Sequence, residues 1–554
     1  MNIPACLRVT LLGLVILNTS CKHYSVVNEK RPPYKAVTPA GTMIVNAMKK
    51  PARMPEVQMG RYIDAASAAG MILEKQPADN QALKDYNFAV ARLFEVIHDS
   101  GLQPWKAPIV CPGAEGTWSF SMTHDGKPEH NPAYFRILPA DRFTFKGTLV
   151  RERSLKEGLG APMVIASRSD KAAKFDPTKF DPFIQGKNVY YGVTEVLQFK
   201  GRDCTAAYVD PLSTETVRFR GQTFPVAADF TAPIGLALAE LKPRKLELRR
   251  MFHPTEFADS ARLARLQPYD PGKIPILVIH GLGDSQATWA PMIEALRTDA
   301  TFRQRYQIWF YSYPTGYPYP FTAALLRRKM DEINAYYPGH KPMVVIGHSM
   351  GGNISRTLIT DSGLDIWTSF FNTTPDKTPL SPGSKKLLSS VLIFRHRTDI
   401  SRVIFLSASL GGSKVATGLI GKVGNKLIGG PSDLEQASAE LIRLSKPREA
   451  DGKVLKKTPN SIDALDPDNR FITTINTLPV AKGIPYHSIM GDRGRGGNLD
   501  KTRPVSSDGI VDYWSAYIPG AQSNLTVPSG HWSNQHPAAI AEVRRILHLH
   551  LGKK

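Results

Sequence analysis

An apolar run, Met343-Val344-Val345-Ile346, stops at Gly347-His348-Ser349-Met350-Gly351 and gives way to Gly352-Asn353-Ile354-Ser355-Arg356-Thr357-Leu358. A serine held between glycines at a strand-to-helix junction fits a tight turn, where side chains on the flanking positions would collide. Such a turn pushes the hydroxyl clear of the backbone, which is the shape of a nucleophile elbow. A hydroxyl is a weak nucleophile until a base can reach it, so the turn matters chemically. Taken alone the pattern decides little, because at ordinary Gly and Ser frequencies a chain this long holds about 0.2 copies of GxSxG by chance. The alternative is a plain strand, turn and helix whose serine caps the helix. The neighbouring segments decide between them.

Upstream, Ile274-Pro275-Ile276-Leu277-Val278-Ile279 reads as a buried parallel strand and ends in His280-Gly281-Leu282-Gly283-Asp284. A developing oxyanion needs two fixed donors, and the backbone N–H groups of Leu282 and Met350 would supply them. The His280 side chain is read as structural. Downstream, Pro485-Tyr486-His487-Ser488-Ile489-Met490-Gly491 is another strand, followed by a glycine-rich loop and Ser507-Asp508-Gly509-Ile510-Val511. Asp508 is the expected acid. The last strand, Asn524-Leu525-Thr526-Val527-Pro528, runs into Ser529-Gly530-His531-Trp532, and Pro537 opens a helix with Ile540, Val543 and Leu547 on one face. His531 is the expected base. Asp512, Asp492 and His536 are the nearby rivals, His536 being read as a helix-start residue.

The order Ser349, Asp508, His531 and the two turns resemble an α/β-hydrolase of the bacterial lipase and esterase kind over about residues 270–550. The resemblance implies a mostly parallel sheet flanked by helices and a carboxylic ester hydrolase that works through an acyl-enzyme, on an ester or lipid substrate. It implies no cofactor. Amidase, thioesterase or acyltransferase chemistry would use the same triad, and a non-catalytic cell-envelope binding protein could keep the fold. One turn departs from the lipase pattern: Val403-Ile404-Phe405-Leu406 leads into Ser407-Ala408-Ser409-Leu410-Gly411-Gly412-Ser413, with Leu410 where a histidine is common. The insertion from about 414 to 478, broken at Gly429-Gly430, resembles a helical cap. The aromatic loop Tyr311–Phe321 could line an acyl pocket or serve as packing. Gly491-Asp492-Arg493-Gly494-Arg495-Gly496-Gly497 follows a strand without opening a helix, so it reads as a loop at the rim of the site and not as a phosphate cradle.

The first twenty residues carry Arg8 and then Val9–Leu17, a run too short to span a bilayer and suited to a signal peptide. Leu17-Asn18-Thr19-Ser20-Cys21 resembles a lipoprotein cleavage site, so the chain is expected to be exported to the cell envelope, with lipidation at Cys21 as its membrane anchor and soluble release as the alternative. Removal of the signal would take Cys6 with it and leave Cys111 and Cys204, whose spacing leaves a disulfide open. Residues 21–56, rich in Lys, Pro and Val, read as a tether. An accessory region over 57–250 follows, a helix pair (Arg61 to Lys75, Asn80 to His98) and then short β-rich runs such as Met163-Val164-Ile165 and Val193–Leu197. This region either forms its own domain or lends strands to the hydrolase sheet. The formal charge of +21 invites a nucleic-acid reading, but Lys and Arg are dispersed and no such motif is present, so no nucleic-acid partner is expected. Anionic lipid or polysaccharide surfaces, or a generally basic proteome, account for it equally. No metal motif occurs, and His548 and His550 read as a solvated helix end.

Overall fold

The computed structural model describes residues 25–124, 126–127, 130–150, 152–167, 181–183, 189–241, 250–251, 257, 260–417, 432–444, 460–494 and 506–552. The signal peptide over 1–20, the lipidation at Cys21 and the Gly429-Gly430 break lie outside the described residues. The chain divides into two compact units, one of Lys22–Leu241 with Ile293–Gln304, the other of Lys242–Met292 with Arg305–Lys554.

The first unit begins with strand β1 (Val26–Glu29) and three helices, α1 (Pro39–Lys49), α2 (Pro55–Lys75) and α3 (Asn80–Ser100). The expected helix pair is α2 and α3. The first starts earlier than its apolar pattern suggests because Pro55 occupies the first helical turn, where a missing N–H costs nothing. Asp79 caps α3 through the amides of Gln81 and Ala82, and Gly101 ends it at φ 72°. Six strands follow in one sheet: β2 (Ile109–Gly113), β3 (Gly116–Thr123), β4 (Phe135–Pro139), β6 (Ala161–Ser167), β7 (Tyr190–Lys200) and β8 (Asp203–Val209), with β5 (Phe143–Lys146) outside it. Their order is β2-β3-β8-β7-β6-β4, antiparallel except where β3 meets β8. Tyr86, Val90, Leu93 and Ile97 of α3 share one core with Phe120, Met163, Val193 and Leu197 of the sheet. The β-rich half therefore keeps its own sheet. Cys111 on β2 and Cys204 on β8 are free thiols with β3 between their strands.

The tether reading of 21–56 fails from residue 25 onward. β1 pairs with β5, and α1 buries Ala40, Ile44 and Ala47 in the same core. The helix is set by Thr38, which caps the Gly41 amide, and by Pro39 at its first turn. Tyr34 stacks on Phe88 at 4.3 Å, and the hydroxyls of Tyr34 and Thr38 both donate to the Asp85 carboxylate. Lysines and prolines on the exposed side mask a short apolar period of four and then three residues.

Among the described residues of this unit, one buried carboxyl group stands without a hydrogen-bond partner. Glu195 on β7 is fully buried and neither carboxyl oxygen has a hydrogen-bond partner among the described residues; burial holds its pKa well above the ordinary carboxylate range. The folded state keeps the proton, so above the ordinary carboxylate pKa only the unfolded chain releases it. The contribution of Glu195 to stability is then best in acid and falls as pH rises. Glu195→Leu is expected to raise the thermal midpoint at pH 8 by several degrees, since about 1–3 kcal/mol of unsatisfied burial is relieved. The gain should shrink toward pH 4 in differential scanning calorimetry.

The second unit is built on seven strands, β9 (Arg262–Arg265), β10 (Ile274–Ile279), β11 (Tyr306–Ser312), β12 (Met343–His348), β13 (Ile400–Leu406), β14 (Tyr486–Gly491) and β15 (Ser523–Val527). Their order is β9-β11-β10-β12-β13-β14-β15, with only β9 antiparallel. Every residue of β10, β11 and β12 is buried, as strands covered on both faces require. Helices α4 (Tyr319–Tyr336), α5 (Met350–Thr357) and α6 (Pro382–Leu392) lie between strands in the chain, and α9 (Pro537–His550) closes it. This is the α/β-hydrolase arrangement, with β12, the strand that leads to Ser349, in the middle of the sheet.

The cap expected over 414–478 needs correction in its second half. Within it, α7 (Ser432–Leu444) is tied to the start of α6, where Ser381 donates to Glu440. By contrast α8 (Arg470–Ile475) buries Phe471, Ile472 and Ile475, and Phe471 packs against Tyr319 at 5.5 Å. Residues 460–478 thus belong to the body of the unit. The solvated reading of the C-terminal histidines also fails for His550, which is half-buried and accepts from Arg402 Nε at 3.2 Å.

Candidate active site

Ser349 follows the last residue of β12 and precedes α5, with φ 55° and ψ −125°. A non-glycine residue at positive φ is strained, and the surrounding bonds hold it there: its amide donates to Leu406 O at 3.0 Å and its carbonyl accepts from Gly352 N at 2.9 Å. Gly351 is obligatory for a different reason. A Cβ there would stand 2.2 Å from Ile279 O, so only glycine lets α5 start against the end of β10.

His531 and Asp508 arrive from loops after β15 and β14. His531 Nε2 lies 2.8 Å from Ser349 Oγ, and His531 Nδ1 lies 2.7 Å from Asp508 Oδ2. Asp508 Oδ1 accepts from the amides of Ile510 at 2.8 Å and Val511 at 2.7 Å. Burial pushes the Asp508 carboxyl up, but the His531 charge and hydrogen bond, with the two amides, outweigh it and leave the group below the ordinary carboxylate range. An ionised Asp508 fixes Nδ1 as the protonated nitrogen of His531, leaving Nε2 to accept the serine proton. Ser349 and His531 are 8% and 7% exposed, so this proton path is almost dry, which strengthens each polar contact in it.

The rivals lie elsewhere. Asp512 precedes a short helix and accepts from Trp514 Nε1 at 3.2 Å, Asp492 accepts from Gly494 N at 2.9 Å, and His536 is the N-cap of α9. The turn carrying Leu282 runs directly against the serine, since a Cβ on Gly281 would lie 2.8 Å from Ser349 Cβ. Gly283 N donates to Thr315 Oγ1, and Tyr313, stacked on His280 at 4.4 Å, donates to His280 O at 2.6 Å. The amides of Leu282 and Met350 donate to no acceptor among the described residues, as two donors awaiting an oxyanion would. Tyr311, Tyr313, Tyr317 and Tyr319 are fully buried, so these rings of the aromatic loop act as packing.

Sequence reasoning missed the role of His348. Its Nε2 donates to His531 O at 2.8 Å, while burial lowers its pKa to about 3 and keeps the ring neutral. Trp532 stacks on it at 5.7 Å, and Asp284 Oδ2 is 3.8 Å from its Nδ1. Nothing in a single sequence announces this bond, beyond the placement of a histidine beside the serine. At Leu410 the chain has a buried apolar side chain, and the turn around it is fixed by Gly411 N donating to Ser515 O at 2.9 Å.

Residues 276–543 match the alpha/beta hydrolase family. The mature form of a lipase from Bacillus licheniformis is similar at 18% identity over 51% of this chain and 97% of that one, with a TM-score of 0.30. A metagenomic carboxyl esterase is 16% identical over 50% of this chain and 77% of its own, with a TM-score of 0.27. The phospholipase PlaB from Legionella pneumophila is 16% identical over 44% of this chain and 46% of its own, with a TM-score of 0.25. Likeness at these levels says nothing about substrate. No functionally curated protein matches the sequence.

Proposed function

We propose that the second unit is a serine hydrolase of carboxylic esters, of lipase or esterase type. The single observation that carries this reading is the hydrogen-bonded line from Ser349 Oγ through both nitrogens of His531 to Asp508. Ser349 attacks the ester carbonyl as His531 Nε2 takes its proton, and the oxyanion is held by the amides of Leu282 and Met350. His531 then returns the proton to the departing alcohol, leaving an acyl-serine. Water, deprotonated by the same imidazole, releases the acid. Labelling by a fluorophosphonate, together with turnover of a panel of esters, tests the reading. Absence of both refutes it and favours a binding protein that retains the fold.

Export belongs to the same proposal, with residues 1–20 as a removable signal and Cys21 as the lipidated first residue of the mature protein. In a bacterial host the wild type should fractionate with membranes and Cys21→Ser should fail to acquire lipid, because acyl chains hold a protein far more firmly than basic surface alone. Mass spectrometry showing an unmodified N-terminus on the wild type would refute the anchor.

A further inference from the structure

The glycine-rich segment after β14 places one charged group that the hydrolytic machinery does not use. Arg493 N donates to Ser507 O at 3.0 Å, and the preceding Asp492 N donates to Val527 O at 2.9 Å. The backbone of Arg493 is thereby fixed to the loop that supplies Asp508 and to the end of the strand that leads to His531. Its side chain follows. A Cβ on Gly509, which has φ 96°, would stand 2.3 Å from both Cζ and Nη1 of Arg493, and a Cβ on Gly530 would stand 3.3 Å from Nε and 3.4 Å from Nη2. The guanidinium therefore lies over two glycines, each the chain neighbour of a triad residue, and any side chain at 509 would displace it.

The residue is exposed, and its side chain donates to no acceptor among the described residues. Arg397 in the same unit shows what a structural arginine looks like here, with its guanidinium bound to both Asp399 and Asp331. Covering two flat glycine peptides needs an apolar stem and no charge. A delocalised cation with its five donors unspent over the glycines that adjoin Asp508 and His531 is suited to a carboxylate or phosphate.

We infer that Arg493 determines specificity, binding an anionic group carried by the ester. The inference rests on the ester-hydrolase reading above and adds the substrate class to it. The anion could be carried on the acyl side, as in a dicarboxylic half-ester, or on the alcohol side, as in a glycerophosphate ester.

Three soluble substrates test it: 4-nitrophenyl butyrate, the 4-nitrophenyl half-ester of glutarate, and butyryl glycerol phosphate. The ratio of kcat/KM for an anionic ester to that for the neutral ester should fall about tenfold in Arg493→Gln, with most of the change in KM, as expected for one charge-assisted contact. Arg493→Lys should recover part of the ratio, because it restores the charge without the fork. Whichever anionic ester responds identifies the side on which the group is carried. In the wild type the same ratio should fall as salt is raised from low ionic strength, a check that depends on no variant folding. Ratios unchanged in Arg493→Gln for both anionic esters, or equal losses on all three substrates, overturn the inference and make Arg493 a packing residue. If the wild type turns over no ester and takes no fluorophosphonate, the hydrolase reading fails and this inference fails with it, a pattern distinct from active protein with unchanged ratios.

Discussion

Ser349→Ala is expected to fold and to lose ester hydrolysis by on the order of 10³-fold or more, because members of a triad act as a unit. Alanine has nearly the same backbone preferences as serine, so the strain at φ 55° is neither added nor relieved, and the surrounding bonds to Leu406 and Gly352 are made by the main chain. Only Oγ is lost, and with it the acceptor of the acyl group and the site of fluorophosphonate labelling. Circular dichroism and melting should match the wild type. Turnover near the wild-type rate would remove Ser349 from the mechanism.

The second large effect separates neighbours in the sequence that the fold keeps apart. Asp508→Asn should cost about 10⁴-fold in kcat, since an amide in place of Oδ2 presents the wrong hydrogen-bonding partner to His531 Nδ1. His531→Ala should cost a comparable factor, as no other imidazole lies within hydrogen-bonding reach of Ser349 Oγ among the described residues. Asp512→Asn and His536→Ala should stay within a few-fold of the wild type. Their side chains serve Trp514 and the first turn of α9, and neither contacts the line from Ser349 to Asp508. Loss of activity in His536→Ala with retention in His531→Ala would reverse the assignment of the base.

The sheet, Ser349 and His531 are legible because both residues lie just beyond a strand, where a linear pattern and a spatial position coincide, whereas Asp508, well beyond the end of β14, is legible only through the run Ser507-Asp508-Gly509-Ile510-Val511. Ile274–Ile279 and Met343–Ile346 are continuous apolar runs, and the structure buries every residue in them. Other features depend on separations that no local pattern encodes. The bond from His348 to the carbonyl of His531 spans 183 positions. Arg493 meets Gly509 and Gly530 only after three loops have converged. At α1 the composition points to a tether, and the apolar period that makes it a helix is too short to stand out, with only Ala40, Ile44 and Ala47 on one face. Residues 460–478 were assigned by analogy to a cap, yet Phe471, Ile472 and Ile475 make them part of the hydrophobic core.

The bond between His348 and the carbonyl of His531 joins the last residue of β12 to the loop that follows β15. His348 is covalently joined to Ser349, so the loop carrying the imidazole is clamped to the strand carrying the hydroxyl. Slow breathing of the sheet then displaces both partners together and leaves their separation unchanged. Misalignment requires release of the clamp together with the bond that Asp508 makes to the imidazole. Warming should therefore produce a sharp loss of turnover when the clamp opens, ahead of global melting, instead of a gradual decline as thermal motion grows.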